Sequence, residues 1–131
     1  MKNFLLLLLL GCLVSSCDPT AQMTASIQNS TNENLQVDFI SSDNALNKFL
    51  QVGPDETELF EDVFDVGNTY LEPRLVDYDS VVIRNRNNEV LKVYKPNDSG
   101  RSIYNLLYWK SSEPAKRSFV YLFEIQTEDI Q

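Results

Sequence analysis

The sequence predicts an all-β chain: a single antiparallel, immunoglobulin-like β-sandwich of about seven strands behind a short apolar leader. Three observations carry this. Runs rich in Val, Ile, Phe, Tyr and Thr recur roughly 8–15 residues apart. Clusters of Gly, Pro, Asn, Asp and Ser separate them, and these residues favour turns. Beyond the leader, no long stretch keeps the 3.6-residue apolar period of an amphipathic helix.

The expected elements follow in order. Thr24 to Gln28 reads as a strand, and Ser30-Thr31-Asn32-Glu33-Asn34 as a turn. Leu35, Val37 and Phe39 alternate with Gln36 and Asp38, the period-two mark of a half-buried strand. Ser41 to Asn47 is a loop. Phe49 to Val52 is a short strand stopped by Gly53-Pro54-Asp55. Glu58 to Val66 has spacing that would also suit a helix, but its Val and Phe content favours a strand with a bulge. Gly67 to Asp79, with Pro73 inside it, is a long connection. Ser80 to Arg84 and Glu89 to Tyr94 form a hairpin around Asn85-Arg86-Asn87-Asn88, since Asn tolerates positive φ. Pro96 to Gly100 is a loop. Ile103, Leu106 and Leu107 share one face of a short helical turn. Ser111 to Lys116 reads as a loop. Phe119, Tyr121, Phe123 and Ile125 then alternate through the last strand. Val120 and Leu122 make that strand apolar on both faces, which places it inside a sheet. Residues 127–131 read as a polar tail.

The leader has its own logic. Met1-Lys2-Asn3 precedes an apolar run from Phe4 to Val14, followed by Ser15, Ser16 and Cys17. The run is within the range of a signal-peptide core and too short for a membrane-spanning helix, which needs roughly 17–25 apolar residues. Val14-Ser15-Ser16-Cys17 resembles a lipobox, the recognition sequence of bacterial lipoprotein signal peptides. The resemblance implies diacylglyceryl transfer to the Cys17 thiol, cleavage between Ser16 and Cys17, and fatty acylation (palmitate-type) of the new amino terminus. Leu9-Leu10-Gly11-Cys12 fits the same pattern in another register but leaves a shorter apolar core, and an ordinary signal peptide with two incidental cysteines is a further alternative. The division expected is a signal peptide over 1–16, a lipidated tether over 17–22 and a sandwich over 23–131.

The domain itself also resembles small lipoproteins of Bacteroidota. The similar features are Leu71-Glu72-Pro73, Tyr78-Asp79-Ser80, Leu91-Lys92-Val93-Tyr94, Ile103-Tyr104-Asn105 and the ending Tyr121-Leu122-Phe123-Glu124-Ile125. They span most of residues 24–131. The resemblance implies a cell-envelope location and a β-fold, and brings no chemistry with it. The periplasmic face of the outer membrane is favoured over the inner membrane and the cell surface. Asp18 resembles an inner-membrane retention signal of enterobacteria, whereas Pro19-Thr20-Ala21-Gln22 lacks the acids associated with surface export.

Composition bounds the function. A chain beginning at Cys17 keeps 115 residues, with ten basic and nineteen acidic side chains. Such a polyanion is repelled by nucleic acid. The charge is uneven: residues 18–79 hold thirteen acids against Lys48 and Arg74, and residues 80–117 hold eight bases against three acids. Solvated strand faces explain this, as would two complementary faces. Cys17, if lipidated, leaves no thiol for a disulfide, so burial alone must hold the fold.

The chain contains no histidine, which removes Ser-His and Cys-His nucleophile pairs and His metal ligands. No glycine-rich phosphate cradle occurs. Glu58, Glu61, Asp62, Asp77 and Asp79 are the carboxylates a small hydrolase would use. Asp77-Tyr78-Asp79-Ser80 and Asp55-Glu56-Thr57-Glu58 are dense in oxygen donors, yet lack the Gly and Glu spacing of an EF-hand, and turn chemistry explains both. Tyr94, Tyr104, Tyr108 and Trp109 would suit a glycan or peptide platform if exposed, and otherwise belong to the core. Asp79-Ser80-Val81 resembles a Bacteroidota O-glycosylation sequon, making Ser80 a candidate acceptor. The expectation is a non-enzymatic, membrane-anchored binding or structural module with no cofactor and no metal, and with a protein or glycan partner. The alternatives are an immunity or inhibitor protein acting on an exported toxin or enzyme, and a small carboxylate-based envelope hydrolase.

Overall fold

A computed structural model describes residues 17–131. The leader expected over 1–16, with its cleavage residue Ser16 and the alternative Cys12, lies outside the described residues. Eight strands follow: β1 (Thr20–Asn29), β2 (Leu35–Ile40), β3 (Lys48–Val52), β4 (Thr57–Val66), β5 (Ser80–Asn85), β6 (Val90–Tyr94), β7 (Lys110–Ala115) and β8 (Ser118–Ile125). They form two four-stranded sheets, ordered β4-β1-β8-β7 and β3-β2-β5-β6. The all-β sandwich expected from the sequence is therefore the architecture. Every described strand pair is antiparallel except β1 with β8, which run parallel from Gln22 opposite Ser118 to Asn29 opposite Ile125.

Alternation sets which side chains meet between the sheets. Met23, Ala25 and Ile27 point inward from β1, Leu35, Val37 and Phe39 from β2, Val81 and Ile83 from β5, and Tyr121, Phe123 and Ile125 from β8. Each large apolar side chain so buried contributes roughly 1.5–3 kcal/mol relative to exposure. Aromatic rings join the two layers. Phe39 of one sheet stacks on Phe60 of the other at 4.3 Å between centroids. Phe60 continues to Trp109, and Trp109 to Phe123, at 6.5 and 5.5 Å. The indole N–H of Trp109 is satisfied by the Ile103 carbonyl at 2.7 Å.

The expected bulge in β4 is present. Ala25 faces Glu61 and Ser26 faces Leu59, so Phe60 is the extra residue, and it is turned into the core. The hairpin of β5 and β6 turns through Asn88 at φ +65°, while the Asn85 side chain accepts from the Asn87 and Glu89 N–H groups. As expected, β8 lies inside its sheet, between β1 and β7.

Four expectations need correcting. There are eight strands in place of about seven, because most of Ser111 to Lys116, read as a loop, belongs to β7 (Lys110–Ala115). Its residues are all exposed and include Pro114, which an edge strand tolerates because one side of its backbone has no ladder to complete. β1 starts at Thr20, four residues early, so residues 20–22 are strand. Ile103, Leu106 and Leu107 do not share a buried face: Ile103 is buried, Leu106 half-buried and Leu107 90 % exposed. The 3₁₀ helix covers only Leu106–Tyr108 and does not extend back to Ile103, so no helical face unites the three side chains. Finally, residues 127–131 are not a free tail. Thr127–Asp129 makes a 3₁₀ turn with Asp129 buried, and Ile130 packs against the core.

Burial holds the phenols of Tyr78, Tyr94, Tyr104 and Tyr121 in the neutral form. For Tyr94 the negative charge of Asp129 acts in the same direction, and for Tyr78 that of Glu61. Each folded value therefore lies above the unfolded one, near ~10. The stability they contribute is complete below that pH and disappears as pH climbs through the folded values. Each withheld ionisation removes up to ~1.4 kcal/mol per pH unit in that window. Urea melts at pH 8 and pH 11 should show a clear fall in midpoint, and 295 nm absorbance at pH 11 should rise on unfolding. Equal midpoints would contradict this.

Candidate functional site

Cys17 is exposed and is the one free cysteine among the described residues. Only Asp18 and Pro19 separate it from the first strand. The Pro19 carbonyl accepts from the Gly67 N–H, and Thr20 pairs with Val66 at the end of β4, so the chain is fixed to the sheet from residue 19 onward. At ~3.3–3.6 Å per residue the free reach from Cys17 is ~10 Å, shorter than a tether running to Gln22.

The other candidates are scattered. Ser80 opens β5 on the outer face of its sheet, partly exposed, while Val81 points into the core. Glu61 and Asp77 share one partner, since the Arg74 Nε lies 3.3 Å from a Glu61 oxygen and 3.8 Å from an Asp77 oxygen. Glu61 also accepts from the Arg74 N–H, so it fastens the long connection to β4. Glu58, Asp62 and Asp79 are exposed. In the Asp55–Glu58 segment, Asp55 holds a left-handed turn at φ +59° and the Glu56 carboxylate accepts from the Gly53 N–H. Among the described residues, no three His, Cys, Asp or Glu side chains come together in a metal-holding group.

The four aromatic candidates do not form a platform. Tyr94 and Trp109 are buried, Tyr104 is half-buried with its hydroxyl donating to the Tyr78 carbonyl, and only Tyr108 is exposed, at 38 %. Charge pairing is mostly local. Of the ion pairs among the described residues, Arg84 with Asp38 at 3.1 Å alone joins the acid-rich and base-rich halves. Donation from Lys110, then from the Ser30 hydroxyl, holds the Glu124 carboxyl below the usual glutamate range.

One surface was not anticipated. The long connection (67–79) and the segment before β7 lie side by side and leave two shallow recesses, of about 500 and 390 Å³, with Leu106 lining both. Tyr70, Phe119 and Tyr121 line the first, and Pro73, Val76 and Tyr104 the second. The Tyr121 hydroxyl donates to the Leu71 carbonyl at 3.0 Å, which ties the connection to β8. Val76 and Leu107 stand at the recesses 89 % and 90 % exposed, with Glu72 and Glu113 also in the lining. Apolar residues inside a proline-containing connection were the available signal. Their exposure depends on the 3₁₀ phase and on packing between segments distant in sequence.

Among the described residues no helix is long and apolar enough to cross a membrane. No protein-family model matches the chain, and no curated protein or solved structure matches it either.

Proposed function

We propose that this chain is a membrane-anchored lipoprotein of the cell envelope, held by acyl chains on Cys17, and that its sandwich is a non-enzymatic binding or structural module. The observation that carries the reading is the placement of Cys17: an exposed thiol three residues ahead of the first strand and the last residue of a lipobox-like sequence. Two or more acyl chains at that point make release from a bilayer negligible on cellular timescales. The periplasmic side of the outer membrane is the proposed location.

The test is radiolabelled palmitate and membrane fractionation of the full chain in a bacterium that processes lipoproteins. The native chain takes up label and sediments with membranes. The Cys17→Ala chain loses both. A Cys17→Ala chain that still carried label and stayed with membranes would refute the assignment.

A second reading, a protein partner of the inhibitor or immunity kind, is favoured by one observation. Val76 and Leu107 are nearly fully exposed apolar side chains on neighbouring recesses that Glu72 and Glu113 also line. Exposed apolar surface with charged residues around it is the pattern of a protein contact.

A further inference from the structure

We propose that the sandwich stands on the bilayer on one end, through a surface made by Phe64, Val66, Lys116 and Arg117, and that this surface takes an anionic phospholipid membrane as its partner. The proposal rests on the lipid-anchor reading of Cys17 and adds an orientation to it.

The fold brings these residues together at the start of β1. Thr20 pairs with Val66 and Gln22 with Phe64 across β4, while the Gln22 N–H donates to the Arg117 carbonyl and its side chain to the Ser118 hydroxyl. Phe64, Gln22, Lys116 and Arg117 line one shallow cleft of about 220 Å³. Phe64 is 68 % exposed and Val66 57 %, on the outer face of edge strand β4, where they alternate with the partly buried Val63 and Asp65. Neither Lys116 nor Arg117 enters an ion pair among the described residues. Of the nearby acids, Asp65 accepts from the Asn68 side chain, Glu113 accepts from the Arg117 N–H, Asp18 lies in the tether, and Asp62 is exposed two residues before Phe64, further along β4 from Val66.

Three features select a membrane as the occupant. The tether ends here and reaches only ~10 Å, so the lipid on Cys17 must enter the bilayer beside these residues. An exposed Phe and Val with adjacent bases match the interface, where apolar groups enter the headgroup boundary and Lys or Arg meet anionic lipid. The anchor makes the second contact intramolecular, so contacts too weak to recruit a free protein are populated once it is in place. The sandwich then projects away from the membrane, with the Ser30–Asn34 turn about 30 Å from the surface, the length of β1 at ~3.3 Å per residue.

The test uses the full lipidated protein in vesicles containing phosphatidylglycerol, with one nitroxide label on Val66→Cys or, for reference, on Asn32→Cys. Vesicle flotation and palmitate content report the anchor. Collision with a water-soluble nickel chelate reports the orientation. The expected result is a collision rate at 66 about threefold below that at 32, as for a side chain at the headgroup boundary. Adding Phe64→Asp, or Lys116→Glu with Arg117→Glu, should bring the two positions within about 1.5-fold of each other while flotation persists. Floating protein with equal rates at 66 and 32 in the native background would overturn the orientation and leave the anchor standing. Dipolar broadening at 66 would show that a second copy of the chain covers the surface, and would overturn it too. Protein without palmitate that fails to float would remove the anchor reading and this proposal together.

Discussion

Asn29→Ala is expected to destabilise the domain by about 3–4 kcal/mol, because it removes the side-chain partner of the Val52 and Glu33 carbonyls and of the Thr31 N–H, at ~1–3 kcal/mol for a group left buried and unpaired, and opens a polar void. Asn29 is fully buried at the end of β1. Its amide donates to the Val52 carbonyl at 2.9 Å and to the Glu33 carbonyl at 2.7 Å. Its carbonyl oxygen accepts from the Thr31 N–H at 2.9 Å and from the Thr31 hydroxyl at 2.7 Å. One side chain thus fastens the β1–β2 turn to the end of β3, in the opposite sheet. Asn29→Asp should be no milder, since it keeps the acceptor but sets a carboxylate against two carbonyls. Thr31→Val, which removes one hydroxyl, should cost about 1 kcal/mol. Urea denaturation of the three variants checks the order. An Asn29→Ala loss below about 1 kcal/mol would show that the turn is held by something else.

Asp129→Ala is expected to cost about 3 kcal/mol and to release the C-terminal segment first. The Arg101 Nε donates to both Asp129 oxygens, at 3.0 and 3.3 Å, and a second Arg101 nitrogen donates to the Glu124 carbonyl. Asp129 also accepts from the Gln126 N–H at 2.8 Å, which starts the last 3₁₀ turn. Breaking a buried pair by removing one partner costs about 3–5 kcal/mol. Arg101 keeps 30 % of its side-chain surface exposed, so water recovers part of that and the low end applies. The guanidinium also lies 5.2 Å from the Phe123 ring centre, so Arg101→Ala loses packing as well as charge. Hydrogen exchange should show the amides of Asp129 and Ile130 losing protection before those of β8. The pair Arg101→Met with Asp129→Leu should recover much of the stability, as an apolar replacement of a buried ion pair often does. Uniform loss of protection along β8 would show that the segment is not a separate clasp.

The strands that the sequence disclosed are those whose chemistry is local. β2 and β8 alternate cleanly, and the Asn-rich turn between β5 and β6 announces the hairpin. The bulge at Phe60 was legible because Glu58 to Val66 fits neither strict alternation nor a good helix former. β7 was hidden because Lys110–Ala115 has no large apolar side chain and contains Pro114, so it is a strand by virtue of its neighbour β8. The early start of β1 was hidden for a related reason: Ala21 is buried but small, and carries almost no strand preference of its own. The clasp joins residues 101, 124 and 129, and ion pairs at such separations leave no periodic trace. Of the candidate site, Cys17 is proposed from a contiguous signal that a sequence can display on its own. The neighbourhood of residues 20–22, 64–66 and 115–118 has no such signal, because they are distant in sequence and only strand register brings them together.

The parallel pairing of β1 with β8 governs how this chain is made. Synthesis delivers the strand at residue 20 long before its inner neighbour, residues 118–125. Until the carboxyl-terminal residues emerge, Ile27 and Met23 have no Phe123 or Phe119 beside them and one ladder of β1 stays empty. Such distant pairing must close the loop entropy of all the residues between the two strands before it gains any contact, which slows collapse. A chain that has not yet reached residue 118 therefore lacks the inner ladder of its β1 sheet, and a stop before residue 118 should yield material that aggregates or is degraded instead of a smaller working domain.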